Sequence, residues 1–252
     1  YTSGSYGGNA EVEELGVPLI LFYKTGRMSY KLSVPYLIVR GPNDVVPIDS
    51  GSIICNNDRS GRGGGSNSGP GSSSDSLDDC DDDETTEAER TTRSGLGDVQ
   101  VEIAYDVPEL TQDGPTLALT GKIKFGTANA SKGLGTGKNS YSLQADVAKQ
   151  FGSFTALTGV GYRVFQKIVG TPLKNTPFIS LGGSWQISDS TGIKLIYDRR
   201  WPIEAGALPA AELTATLSRD LGKDWRMEAY LLNGLTDASA DLAAGLVIAR
   251  KF

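Results

Sequence analysis

Apolar and polar residues alternate along most of this chain with a period of two, as in a β-strand whose faces meet different surroundings. In "FTALTGVGYRV" (154–164), Phe154, Ala156, Val160, Tyr162 and Val164 fall on one face, and Thr155, Gly159, Gly161 and Arg163 on the other. The alternation recurs over 13–24, 27–39, 98–107, 116–125, 140–151, 178–187, 192–201, 210–220, 225–232 and 240–252. That makes eleven strands, and no helix of useful length is readable between them.

The connections alternate too. Residues 25–27, 108–115, 152–153, 188–191 and 222–224 read as short turns, while 40–96, 126–139, 167–176, 202–209 and 233–239 read as longer loops. An up-and-down meander with short turns at one end and long loops at the other is the pattern of a bacterial outer-membrane barrel. Such barrels have even strand numbers, so a twelfth strand is expected, and "YTSGSY" (1–6) reads as its short or truncated remnant. The predicted fold is all-β: an up-and-down antiparallel transmembrane β-barrel of about twelve strands. It forms one domain over 1–252, with a long, flexible, acidic extracellular loop inserted at 43–93 and a periplasmic C-terminus. The first residue is not Met and no basic-then-apolar leader follows, which reads as a processed or trimmed chain.

A soluble sandwich or lipocalin-like barrel would also alternate, with its apolar face inward. Three features favour lipid instead. Tyr23, Tyr36, Tyr105, Tyr141, Trp185, Trp201 and Trp225 lie near strand ends on the apolar faces, as interfacial aromatic girdles do. The polar faces mix small residues with charges of both signs, and the last strand ends on Phe252. On this reading Val160, Ile193, Leu195, Leu213 and Leu217 face lipid, and Gly159 and Gly161 give the lumen space.

Composition changes the picture in three places. Mean hydropathy is slightly negative, but a barrel that alternates averages out its own signal. Histidine is absent, which removes Ser-His catalysis, His metal sites and His pH switching. The net charge of −6 is concentrated in "DSLDDCDDDETTEAE" (75–89), with nine acids and no base, which leaves the remainder at +3. That distribution does not suggest a nucleic-acid partner. Cys55 and Cys80 lie in the same polar segment, and a disulfide between them is expected in an oxidising compartment. The acidic run 78–87 lacks the spaced ligands and turn glycine of an EF-hand and reads as a solvated loop, with cation binding as the alternative. "SGRGGGSNSGPGSSS" (60–74) is a low-complexity insert, and "GLGTG" (133–137) reads as a turn in an external loop.

The stretches "SGLGDVQVEIAYDVP" (94–108) and 116–164, with "GLGD" (95–98) and "GLGTGKNSY" (133–141) as their most specific pieces, resemble an outer-membrane barrel family. That family is called "MetA-pathway of phenol degradation". The opening "SGSYGG" (3–8) and "YKLSVPYLIVRGP" (30–42) are similar to it as well, so that only 43–93 falls outside the likeness. The resemblance implies an outer-membrane barrel that takes up small organic, including aromatic, compounds. It implies no agreed substrate and no agreed site residues.

The functional candidates are therefore the charges of inward parity. Lys31, Lys122, Lys124, Arg163, Lys194, Arg200 and Arg226 are set against Glu102, Asp146, Asp198, Glu212 and Glu228, with Glu14 and Asp106 also on that face. Such rings set pore selectivity, or they pair across strands and hold a partly filled lumen together. The function expected is passive passage of small solutes across the outer membrane, with membrane lipid as the surrounding partner. The alternative is a structural or surface-interaction barrel with a closed lumen. A membrane-embedded hydrolase is disfavoured by the missing histidine, and neither enzyme activity nor a cofactor is expected.

Overall fold

The computed structural model of the chain describes residues 1–6, 11–42, 45–49, 52–55, 90–108, 114–168, 173–204 and 206–252. The fold is a closed antiparallel barrel. Its strands are β1 (Thr2–Gly4), β2 (Val12–Thr25), β3 (Met28–Gly41), β6 (Thr91–Leu96), β7 (Gln100–Val107), β8 (Thr116–Lys124), β9 (Ser140–Phe151) and β10 (Phe154–Phe165). The ring continues through β11 (Thr176–Ser188), β12 (Thr191–Arg200), β13 (Ala210–Asp220), β14 (Trp225–Gly234) and β15 (Leu242–Arg250). β4 (Val45–Asp49) and β5 (Ser52–Cys55) form a separate hairpin. Helical structure among the described residues is one short turn, Ala130–Lys132.

Thirteen strands make one sheet, but the ring has twelve positions. β6 and β7 follow one another along β3, pairing with Tyr36–Gly41 and with Met28–Ser33 respectively. Together they act as one wall strand, broken at 97–99. The ring closes through β1, which pairs with β15 at Thr2 and Ser3 and with β2 from Thr2 to Gly4. Below those residues no ladder joins β2 to β15 among the described residues.

Register follows turn chemistry. Thr25 pairs with Met28, and Phe151 with Phe154, across two-residue turns. The first turn residue, Gly26 at φ 56° and Gly152 at φ 62°, takes the left-handed region that hairpin turns of this length require and that a Cβ disfavours.

The wall has its apolar face outward. Val160, Ile193, Leu195, Leu213 and Leu217 are all exposed, Val160 at 57%. So are all seven aromatic residues expected in girdles. They form two bands: Tyr23, Tyr105, Trp185 and Trp225 toward the short turns, and Tyr36, Tyr141 and Trp201 toward the long loops. The short-turn band includes stacked pairs, Tyr23–Tyr30 with centroids 6.2 Å apart and Phe154–Trp185 at 4.9 Å. Buried apolar side chains gather instead near the long-loop end, where Tyr6, Val12, Leu37, Val39, Val45, Ala128, Leu134 and Ala240 form one cluster.

One expectation needs correction at its edge. The segment read as a loop up to 93 ends earlier, because Thr91, Thr92 and Arg93 belong to β6 and pair with Gly41, Arg40 and Val39. Arg93, buried, donates to the Pro42 carbonyl at 2.7 Å and to the Val45 carbonyl, which ties the start of the insert to the wall. The "GLGTG" turn lies in the long loop between β8 and β9 and folds inward. Leu134 is 2% exposed and is part of the apolar cluster in the barrel mouth. The acidic run 78–87, the low-complexity stretch 60–74, Cys80 and the side chain of Cys55 lie outside the described residues.

Candidate functional site

Because the outward parity carries the apolar belt, the opposite parity lines the lumen. The expected charges arrive there in separate groups. Along β3, β7 and β8, Lys31, Glu102 and Lys122 are direct cross-strand neighbours, an anion between two cations. The Lys31 Nζ lies 3.8 Å from Glu102 Oε2 with both side chains partly wet. Lys24 and Asp106 pair at 2.8 Å on the short-turn side. Arg226 meets Glu228 at 2.9 Å and Asp220 at 3.5 Å, all three about half exposed. These exposed pairs contribute little to stability, of order 0–1 kcal/mol each.

Toward the long-loop end the pairs are dry. Lys124 and Asp98 form a salt bridge with side chains 3% and 8% exposed. Asp98 also accepts the Ala128 N–H at 2.9 Å, so one carboxylate holds both the wall cation and the loop 126–139. Asn139 accepts the Gly126 N–H at 2.9 Å and fixes the other end of that loop. Arg200 is paired with Glu212, whose strand neighbour across the ladder is Asp198. Two carboxylates directly opposite one another repel, and the guanidinium between them offsets this. Tyr6 is buried in the same mouth; its hydroxyl is pushed well above its usual pKa by burial, then by the negative charges of Glu14 and Glu212.

The remaining expected residues lie further along the wall. Asp146 accepts from Gln144 at 2.7 Å. Lys194 lies between Ser184 and Thr216 in register. Arg163 packs its guanidinium 5.9 Å from the Phe165 ring and 5.8 Å from the Phe178 ring. Glycines make room for inward aromatics. A Cβ on Gly161 would stand 2.1 Å from the Phe178 ring, and one on Gly245 would stand 2.3 Å from the Tyr230 ring. Each ring therefore occupies the space that a side chain would fill on the glycine it faces across the ladder. Gly161→Ala should lift Phe178 off the wall, lowering stability by about 1–3 kcal/mol through overpacking. The tilted ring should also reduce single-channel conductance, which a bilayer recording would read.

Several residues at the site were not singled out from sequence. Asp98, the partner of Lys124, lies in "GLGD" at the edge of the alternating stretch 98–107. Pro18, Ile20, Pro35, Leu37, Tyr230 and Leu232 line a lumen cavity of about 420 Å³, together with Glu14, Lys31, Lys124, Arg200 and Glu212. The run "VPLILF" (17–22) carried the signal: both parities of β2 are apolar there, so its inward face is greasy as well. The lumen is thus amphipathic, apolar along β2 and β3 and charged along β8 to β13.

This geometry has a solved counterpart. The COG4313 outer membrane channel from Pseudomonas putida F1 superposes with a TM-score of 0.59, covering 98% of this chain and 88% of that one, at 13% sequence identity. At that identity the likeness is one of fold, and the fold is that of an outer-membrane β-barrel. No family model matches the chain, and no curated protein is detectably similar to it in sequence.

Proposed function

We propose that the chain is a bacterial outer-membrane channel for passive entry of small solutes, including small organic and aromatic compounds. The observation that carries this reading is the inside-out wall. Exposed Leu, Val, Ile and two aromatic bands cover the outer surface, while charges and a cavity occupy the interior. A surface of that kind is stable against lipid and unstable against water. A solved barrel of similar fold is an outer membrane channel, which supports the transport role. In this reading the long loops face outward and the C-terminus lies on the periplasmic side. The partners are membrane lipid and the solutes themselves, and the protein works without chemistry or cofactor.

The lumen charges act as a mixed selectivity belt: Lys31, Lys122, Lys124, Arg163, Lys194, Arg200 and Arg226 with Glu102, Asp146, Asp198, Glu212 and Glu228. Lys31 and Lys194 are the members to change, since neither is in a dry pair. Lys31→Glu with Lys194→Glu should raise the cation-to-anion permeability ratio several-fold in a planar bilayer. Unchanged selectivity at normal conductance would make these charges structural. The buried mouth cluster around Leu134 and Tyr6 favours a second reading, a barrel whose lumen stays closed and whose role is structural or adhesive. Absence of any conductance in the reconstituted protein would support that reading over the first.

A further inference from the structure

Most of the charges at the lumen cavity are already paired. Lys31 faces Glu102, Lys124 is bridged to Asp98, and Arg200 is bridged to Glu212. Glu14 differs. Among the described residues it has no ion pair and no side-chain hydrogen bond, and its carboxylate lies along the inner face of β2 above Gly16. The Tyr1 amine, also at this cavity, donates to the Ala244 carbonyl at 2.9 Å and acts on Glu14 through its charge without forming an ion pair with it. An acid placed in a cavity lined by Pro18, Ile20, Leu232 and the rings of Tyr6 and Tyr230 has little to offset its lost hydration.

We propose that this cavity binds small organic ammonium ions, with Glu14 as their counter-ion. The chemistry fits in three ways. A bound cation supplies the direct ion pair that Glu14 lacks, at a place where the dielectric is low and the attraction correspondingly stronger. Tyr230 lies over Gly245 and lines the cavity, where its ring can make a cation–π contact. The apolar residues of β2 and β3 receive the organic body, and about 420 Å³ lies within the roughly 300–1,000 Å³ of small-molecule sites. Organic anions of the same shape are disfavoured, because Glu14 would meet them as a like charge while Lys31, Lys124 and Arg200 each have a carboxylate of their own.

The inference deepens the channel reading by naming a solute class, and it rests on that reading only for its physiological use. The test is therefore equilibrium binding, measured apart from transport. The refolded barrel in lipid nanodiscs is titrated calorimetrically with 2-phenylethylammonium, with phenylacetate and with neutral 2-phenylethanol. The ammonium should bind at least tenfold tighter than the other two. Glu14→Gln, an isosteric change, should abolish that preference while leaving binding of the neutral alcohol unchanged. Ile20→Ser should weaken the ammonium and the alcohol alike. Equal binding of ammonium and carboxylate, or a preference that survives Glu14→Gln, would overturn the proposal. The same nanodisc-competent protein is recorded in a bilayer with potassium chloride. Binding without conductance would count against the channel and leave the site standing, whereas conductance without selective binding would do the reverse.

Discussion

Asp98→Ala should lower the unfolding free energy of the barrel by about 3–5 kcal/mol and raise its conductance at the same time. The first effect follows from burial. Lys124 is 3% exposed and its salt bridge to Asp98 is dry, so removal of the acid strands a buried cation. Breaking a buried pair from one side costs roughly this amount, whereas replacing both partners with apolar groups is often neutral. Asp98→Ala with Lys124→Met should therefore recover most of the loss, and a double-mutant cycle in urea would show the coupling. The second effect follows from the other bond that Asp98 makes. It holds Ala128, and through it the loop that places Leu134 in the barrel mouth. The double variant should keep its stability and still conduct more than the parent protein, because the acceptor for Ala128 is gone in both.

A large effect is also expected on the outside of the wall. Leu195→Arg should destabilise the folded barrel in lipid by roughly 2–4 kcal/mol, the cost of a cation near the bilayer midplane. Leu195 is exposed, lies mid-strand in β12, and pairs with Ala215 and Gly183. Thr214 stands one residue from Ala215 on the opposite parity. Thr214→Arg should cost less than about 1 kcal/mol, since the wet lumen solvates it. Folding equilibria of the two variants in the same vesicles compare lipid with lumen directly. Equal costs would mean that the two faces have been assigned to the wrong solvents.

The strands and their parity were legible because a two-residue period survives every loop insertion. From β7 to β15 the expected and observed strands agree closely. The short first strand was reached by counting, and β1 does occupy that place in the ring. What the pattern hid has physical causes. β6 and β7 form one wall position because of a break near Gly97, where a Cβ would stand 2.8 Å from Leu37; alternation stops there and the segment looks like a loop. Leu134 is a lone apolar residue in a glycine-rich turn, and nothing local says that the turn folds inward. Asp98 becomes a buried partner only when β8 brings Lys124 beside it, a contact set by packing across 26 residues. On β2 the outward set Leu15, Val17, Leu19 and Leu21 is so plain that the equally apolar inward set of Pro18, Ile20 and Phe22 is easily passed over. Pro18 and Ile20 of that set, with Pro35 and Leu37 of β3, make one side of the cavity greasy, so that the path is amphipathic and not a purely charged belt.

The most direct measurement is single-channel recording of the purified protein and of the Asp98→Ala, Lys124→Met variant in planar bilayers. A conducting barrel narrowed by its own mouth loop should give small, resolvable current steps in the parent protein and larger ones in the variant. No conductance from either, with both shown to be folded in the membrane, would contradict the channel.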